Sequence, residues 1–196
     1  DKPLAGAGLD TLNDYFAVFT GPVRRVKEWQ SFMEANAGKT IFNEAESKRA
    51  LGAAAALGAH DDAMKLIKAC RHQVAGIAQH PTLGFRMKGL IDLLPDLDRC
   101  DPLLAEYVFD LKTSADASPE GFAKQCWQLG YHVQAAFYMD ILNFLGRNVK
   151  TFGFIVVENE PPHEVAIHYL PIVSAEIVEA RKKYERWALA YHSCLG

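Results

Sequence analysis

The chain has 196 residues, 49% of them hydrophobic and 23% charged, which suits one soluble domain with a sizeable core and indicates neither a disordered nor a membrane class. Its formal net charge of −3 argues against a globally basic nucleic-acid coat, so a polyanion would have to be met by a local basic groove. No apolar stretch reaches the length of a membrane span, the start DKPLAGAG lacks a signal-peptide core, and Cys70, Cys100, Cys126 and Cys194 form no C-x-x-C pair. Free thiols in a reducing cytoplasm are the expectation.

In chain order, residues 15–19 read as a short strand, Gly21-Pro22 as a turn, and residues 24–36 as a helix closed by Gly38. A second helix is predicted from Asn43-Glu44 to Gly58, with its alanine run read as close helix packing. A third begins at Asp61-Asp62 and carries Met64, Ile67 and Ile77 at helical spacing. From Thr82 the period changes toward two. Strands over 83–94 and 106–113 form a predicted hairpin, with Asp96, Asp98 and Asp101 in its connection. Ser118-Pro119-Glu120 is a helix start, since serine caps, proline suits the first helical position and glutamate complements the dipole. That helix is predicted to run to Phe144 or Leu145 and stop at Gly146. Strands over 152–158 and 165–170 and an amphipathic helix over 174–192 complete the chain. The order predicts an α/β (α+β) domain around a small mixed sheet: a single domain over 1–196, with a mainly helical part over 1–80 and a sheet-helix core over 82–196.

Two acids stand out. In YVFDLKT, Asp110 and Lys112 share one face of the strand, and if the upstream strand pairs with it, Asp92 can sit beside them. A lone D-x-K is ordinarily a charge pair on an edge strand. Here Tyr107, Val108, Phe109 and Leu111 imply a buried strand, where charges need a partner or a metal, and Asp92 between Ile91 and Leu93 repeats the argument. Paired carboxylates suit Mg²⁺ or Mn²⁺, with the main-chain carbonyl of Leu111 as a further oxygen and Lys112 placed to steady a developing charge. Tyr131, Gln134 and Tyr138 share a helix face that can look over this pocket, and Lys124, one heptad before Tyr131, extends the stripe toward a phosphate.

Gly89-Leu90-Ile91-Asp92, then Asp110-Leu111-Lys112-Thr113, then Gln134-Ala135-Ala136-Phe137-Tyr138 resembles the PD-(D/E)XK nuclease superfamily, in the branch with a Q-x-x-x-Y helix motif, and most closely the RecE-type exonuclease VIII group of phage and prophage recombination. The resemblance covers about Val23 to Tyr191. It implies a central mixed four- or five-stranded sheet flanked by helices and a Mg²⁺- or Mn²⁺-dependent deoxyribonuclease, working 5′ to 3′ on duplex DNA ends. The implied metal ligands are Asp92, Asp110 and the Leu111 carbonyl, the catalytic lysine is Lys112, and the active-site helix residues are Gln134 and Tyr138. Asp96 stands as an alternative ligand. A homo-oligomer, and a single-strand annealing protein as partner, are also implied.

The family's upstream helix histidine is a point of departure. His60, His72 and His80 precede Asp92 outside that helical context and read as surface or capping residues, while Gln79 lies near a position where the family often carries an acid. With the start at Asp1, this leads to the expectation of a fragment lacking an upstream helix, or of a catalytically impaired nuclease-fold module for DNA binding or assembly.

Overall fold

The structure is a computed structural model that describes residues 16–21 and 27–194. The chain divides into two compact units, Asp1–Ala55 and Ala56–Gly196. In the first, β1 (Phe16–Phe19) and β2 (Thr40–Asn43) pair in parallel, with α1 (Lys27–Ala35) between them in sequence. Phe19 makes edge contacts with Trp29 and Phe32 at 5.1 and 5.3 Å between ring centres. α2 (Glu44–Ala59) opens on a reciprocal cap: Glu46 N–H donates to Asn43 Oδ1 at 2.8 Å, and Asn43 N–H to Glu46 Oε2 at 2.7 Å. Tyr15, Pro22 and residues 24–26 of the predicted elements lie outside the described residues.

The second unit is built on a five-stranded mixed sheet. Its strands are β3 (Cys70–Gln79), β4 (Arg86–Pro95), β5 (Tyr107–Ser114), β6 (Thr151–Glu158) and β7 (Val165–Pro171), side by side in that order. Only β5 and β6 run parallel, and the crossover between them carries α4 (Pro119–Leu129) and α5 (Tyr131–Phe144). One face packs Val108, Phe152, Phe154 and Val156 against α5 and against α6 (Ala175–Ser193), through Met139, Ile141 and Ile177. The other packs Leu93, Phe109 and Ile155 against Ala63, Leu66 and Ile67 of α3 (Asp61–Lys68). The run from Phe152 to Val157 is accordingly buried almost throughout, as a strand covered on both faces should be.

Local chemistry sets the helix ends. Ser118 Oγ accepts from Gly121 N–H at 3.1 Å with Pro119 at the first turn of α4, and Ser174 Oγ accepts from Ile177 N–H at 3.3 Å at the start of α6. α5 and α6 are tied by buried Asp140, which accepts two hydrogen bonds from Arg181 at 2.6 and 2.7 Å and one from the Tyr184 hydroxyl at 2.5 Å. All four cysteines are free, and among the described residues no helix is long and apolar enough to cross a membrane.

Three expectations are corrected. The helix predicted to carry Ile77 stops at Lys68, and residues 70–79 are β3; Cys70 faces α3 while Val74 packs toward α5, so strict alternation is absent from the sequence. The long helix after Ser118 is two helices, because Gly130 takes φ +74, a left-handed state that ends α4. The alanine run of α2 contains no buried residue; alanine's high helix propensity, not close packing, accounts for it.

Gly153 lies opposite Phe109 in the β5–β6 ladder, and a Cβ there would come within 2.4 Å of Phe109 Cδ1. Phe109 is fully enclosed and stacked on Tyr107, so it has little room to yield. Gly153→Ala is expected to cost about 1–3 kcal/mol, read as a lower urea midpoint at an unchanged slope.

Candidate active site

The site is assembled where β4 meets β5. Leu93 stands opposite Phe109, both on the α3 side of the sheet. One antiparallel step further brings Asp92 beside Asp110 on the α5 side, where Val108, Asp110 and Lys112 follow one another by strand alternation. β5 is the middle strand, so Asp110 is enclosed, with 1% of its surface exposed. The pair is therefore no edge-strand charge decoration.

An irregularity in the β3–β4 ladder aims Asp92. On one side of it Val74 faces Ile91, both packed toward α5, and Gly76 faces Gly89, where an added Cβ would meet Ile141 and Tyr138 of α5. On the other side Cys70 and Leu93 lie toward α3. The faces exchange at Gln73 and Asp92, where the ladder skips one pair and Gln73 takes φ +53. Consecutive Ile91 and Asp92 thereby both come to the α5 side, and Gln73 Nε2 donates to Asp92 Oδ1 at 2.9 Å.

Around Asp110 the contacts are specific. Gln134 Nε2 of α5 donates to Oδ1 at 3.4 Å. Lys112 Nζ stands 2.5 Å from Oδ2, an ion pair that engages this buried oxygen. The same ammonium lies 4.7 Å from the centre of the Tyr131 ring. Burial raises the Asp110 carboxyl to about 6; the Lys112 ammonium opposes this, and the carboxylate of Asp92, within hydrogen-bonding reach, adds to it. Two adjacent carboxylates are a fitting donor set for a hard divalent cation. Among the described residues no three His, Cys, Asp or Glu side chains converge into a metal-binding group.

The other predicted residues are distributed as follows. Tyr138, on the same face of α5 as Tyr131 and Gln134, lies over Gly89, whose missing side chain makes room for the ring. Leu111 sits between Asp110 and Lys112, in register with Ile155 of β6. Lys124 does not extend the Tyr131 stripe: it is exposed on α4, beyond the break at Gly130. Asp96 is committed elsewhere, accepting from Arg71 at 3.1 Å and Arg99 at 2.8 Å, and these guanidiniums, Arg71 foremost, hold its carboxyl down at about 2.

Of the histidines, His60 caps α3 through Nδ1, and exposed His72 meets the Ile67 carbonyl at 3.1 Å. His80 is buried and caps the β3–β4 turn, its Nδ1 accepting from Leu83 N–H at 3.2 Å, while Nε2 faces Glu185 at 3.4 Å and the ring stacks on Phe85. Gly76 to His80 has the G-x-x-x-H spacing, but it spans the end of a strand instead of a helix. Gln79 bonds the Gly84 carbonyl within the β3–β4 turn. Gln73 escaped the sequence reading. Its strand was read as a helix, and a glutamine carries no signal of its own.

A mixed sheet with two adjacent carboxylates and a lysine on its central strands, overlaid by a helix bearing glutamine and tyrosines, is the architecture of the PDDEXK class. The chain belongs to the family described as a PDDEXK-like domain of unknown function (DUF3799), whose model matches residues 19–195. Among solved structures it is similar to a putative exonuclease from Eubacterium rectale, with 19% identity and a TM-score of 0.58 over 80% of this chain and 57% of that one. The protein SSO0001 is a more distant likeness, at 18% identity and a TM-score of 0.38 over 67% of this chain and 56% of that one. The chain thus spans little more than half the length of either. No curated protein matches it.

The raised Asp110 carboxyl has a definite sign in stability. Between the ordinary carboxylate range near 4 and about 6, the folded chain holds a proton that the unfolded chain has released. The contribution of Asp110 to the stability of the metal-free protein should therefore be full below pH 4 and be lost as pH rises through about 6, by roughly 2–3 kcal/mol, opposite in sign to that of Asp96. Thermal unfolding across pH 4–7 checks this, and Asp110→Asn should lack that falling limb.

Proposed function

We propose that this chain is a divalent-metal-dependent deoxyribonuclease that hydrolyses DNA phosphodiesters, acting as a 5′ to 3′ exonuclease on duplex ends in recombination. The observation that carries the reading is the convergence of Asp92, Asp110 and Lys112, with Asp110 buried and its Oδ2 paired with the Lys112 ammonium. Asp92, Asp110 and the Leu111 carbonyl would hold Mg²⁺ or Mn²⁺, and the bound ion would supply an acidified water and neutralise charge on the phosphate.

The chain's own residues do the rest. The Lys112 ammonium, steadied between Asp110 and the Tyr131 ring, orients the attacking water and stabilises charge developing on the phosphoryl oxygens. Gln134 steadies the Asp110 carboxylate through Oδ1, while Oδ2 faces Lys112. Tyr131 and Tyr138 offer aromatic faces to the scissile nucleotide. The burial of Asp110 keeps these groups in one arrangement before DNA arrives.

With a net charge of −3, the chain must concentrate its basic residues to hold DNA, and assembly of several copies into a closed channel would do so. A single-strand annealing protein would be the partner that takes up the strand left behind.

Linear duplex DNA with Mg²⁺ should release nucleotides, and EDTA should stop release. Asp110→Ala or Lys112→Ala should slow it by about 100-fold or more. Release that survives Asp110→Ala would remove this site from the mechanism, and release from covalently closed circles would replace the exonuclease reading with an endonuclease. Light scattering at micromolar concentration should find an oligomer; a strict monomer would rule out the closed channel.

A further inference from the structure

We infer that Gln73 is a positioning residue for Asp92, holding that carboxylate by one oxygen so that the other is free to join Asp110 on a divalent cation. The inference rests on the metal-site reading above, and it begins from the backbone. Gln73 has φ +53, a state that L-residues other than asparagine and aspartate seldom adopt. The other non-glycine residue of this kind among the described residues, His163, lies in the connection between β6 and β7, where such geometry is ordinary. Gln73 instead sits inside a ten-residue strand.

The distortion is confined to one ladder position. His72 still pairs with Leu93 and Val74 with Ile91, so regular pairing resumes on both sides. What changes across it is the side-chain direction of β3 and β4, which brings Asp92 round to Asp110. Strain of this sort persists where the surroundings impose it and gathers where a side chain has to be aimed.

The chemistry of the amide fits the task. Asp92 and Asp110 already place two acids in contact, and a third acid would add repulsion in the absence of a cation. A glutamine donates a hydrogen bond without adding charge, and its 2.9 Å contact with Oδ1, at the solvent-exposed edge of the site, favours one orientation of the Asp92 carboxylate. Outer partners of this kind typically govern metal affinity by about 10- to 100-fold.

The test compares the wild-type chain with Gln73→Gly and Gln73→Ala, reading thermal unfolding without metal and Mn²⁺ binding by titration calorimetry. Glycine accepts φ +53 without strain, so Gln73→Gly should unfold at or above the wild-type temperature while binding Mn²⁺ about 10-fold more weakly or worse. Gln73→Ala keeps the strain and loses the donor, so it should bind as weakly and unfold at a lower temperature. A purely structural role would move the unfolding temperature and leave the affinity alone. Wild-type Mn²⁺ affinity in Gln73→Gly overturns the inference. A wild-type chain that binds no Mn²⁺ overturns the metal-site reading itself, which is a separate result.

Discussion

A carboxylate on the middle strand of a sheet, under a helix, is an expensive thing to enclose, and the arrangement of the second unit follows from making Asp110 tolerable. Burial drives its carboxyl toward the neutral form, the ammonium of Lys112 pulls it back, and the amide of Gln134 donates to its other oxygen. Each of those groups comes from a fixed place: Lys112 from the next position on the same strand face, Gln134 from a helix laid across that face. A further acid, Asp92, stands close enough to worsen the problem. Two ionised acids and one ammonium leave a net negative charge in a shielded pocket, which favours a further cation or a retained proton.

The helix that supplies Gln134 is held from outside the pocket. Asp140, six residues on, is gripped by Arg181 and Tyr184 of α6, and the apolar side of α5 fills the space over β4 and β6. Helix rise places Asp140 about 9 Å along the axis from Gln134. The depth at which Gln134 meets Asp110 is therefore set by packing well away from the chemistry.

Much of this could be read in the sequence. Alternation gave β4, β5, β6 and β7 nearly to their ends, and the serine caps of α4 and α6 stood where their hydroxyls accept backbone N–H groups. Asp92, Asp110 and Lys112 were legible because apolar neighbours made their charges conspicuous. β3 was not legible, since the exchange of faces at Gln73 erases the period-two pattern over CRHQVAGIAQ. The break at Gly130 was missed because one glycine inside a helical run is commonly absorbed, and only the backbone angle shows that this one is not. Asp96 looked available in a loop until Arg71 and Arg99 were seen to occupy its oxygens.

The glycine between α4 and α5 also has a mechanical meaning. A continuous helix transmits tilt and rotation along its whole length, so a load on one end is felt at the other. Gly130 breaks that axis, and α4 is held on its own account: Phe122 is buried and stacked on Tyr131 with ring centres 6.2 Å apart, Trp127 stacks on His132 at 4.4 Å, and Gln125 donates to the Thr113 carbonyl at 3.0 Å. The first turn of α5 is thus braced from the side by the helix before it, as well as from the sheet, which fixes Tyr131 from two directions at once.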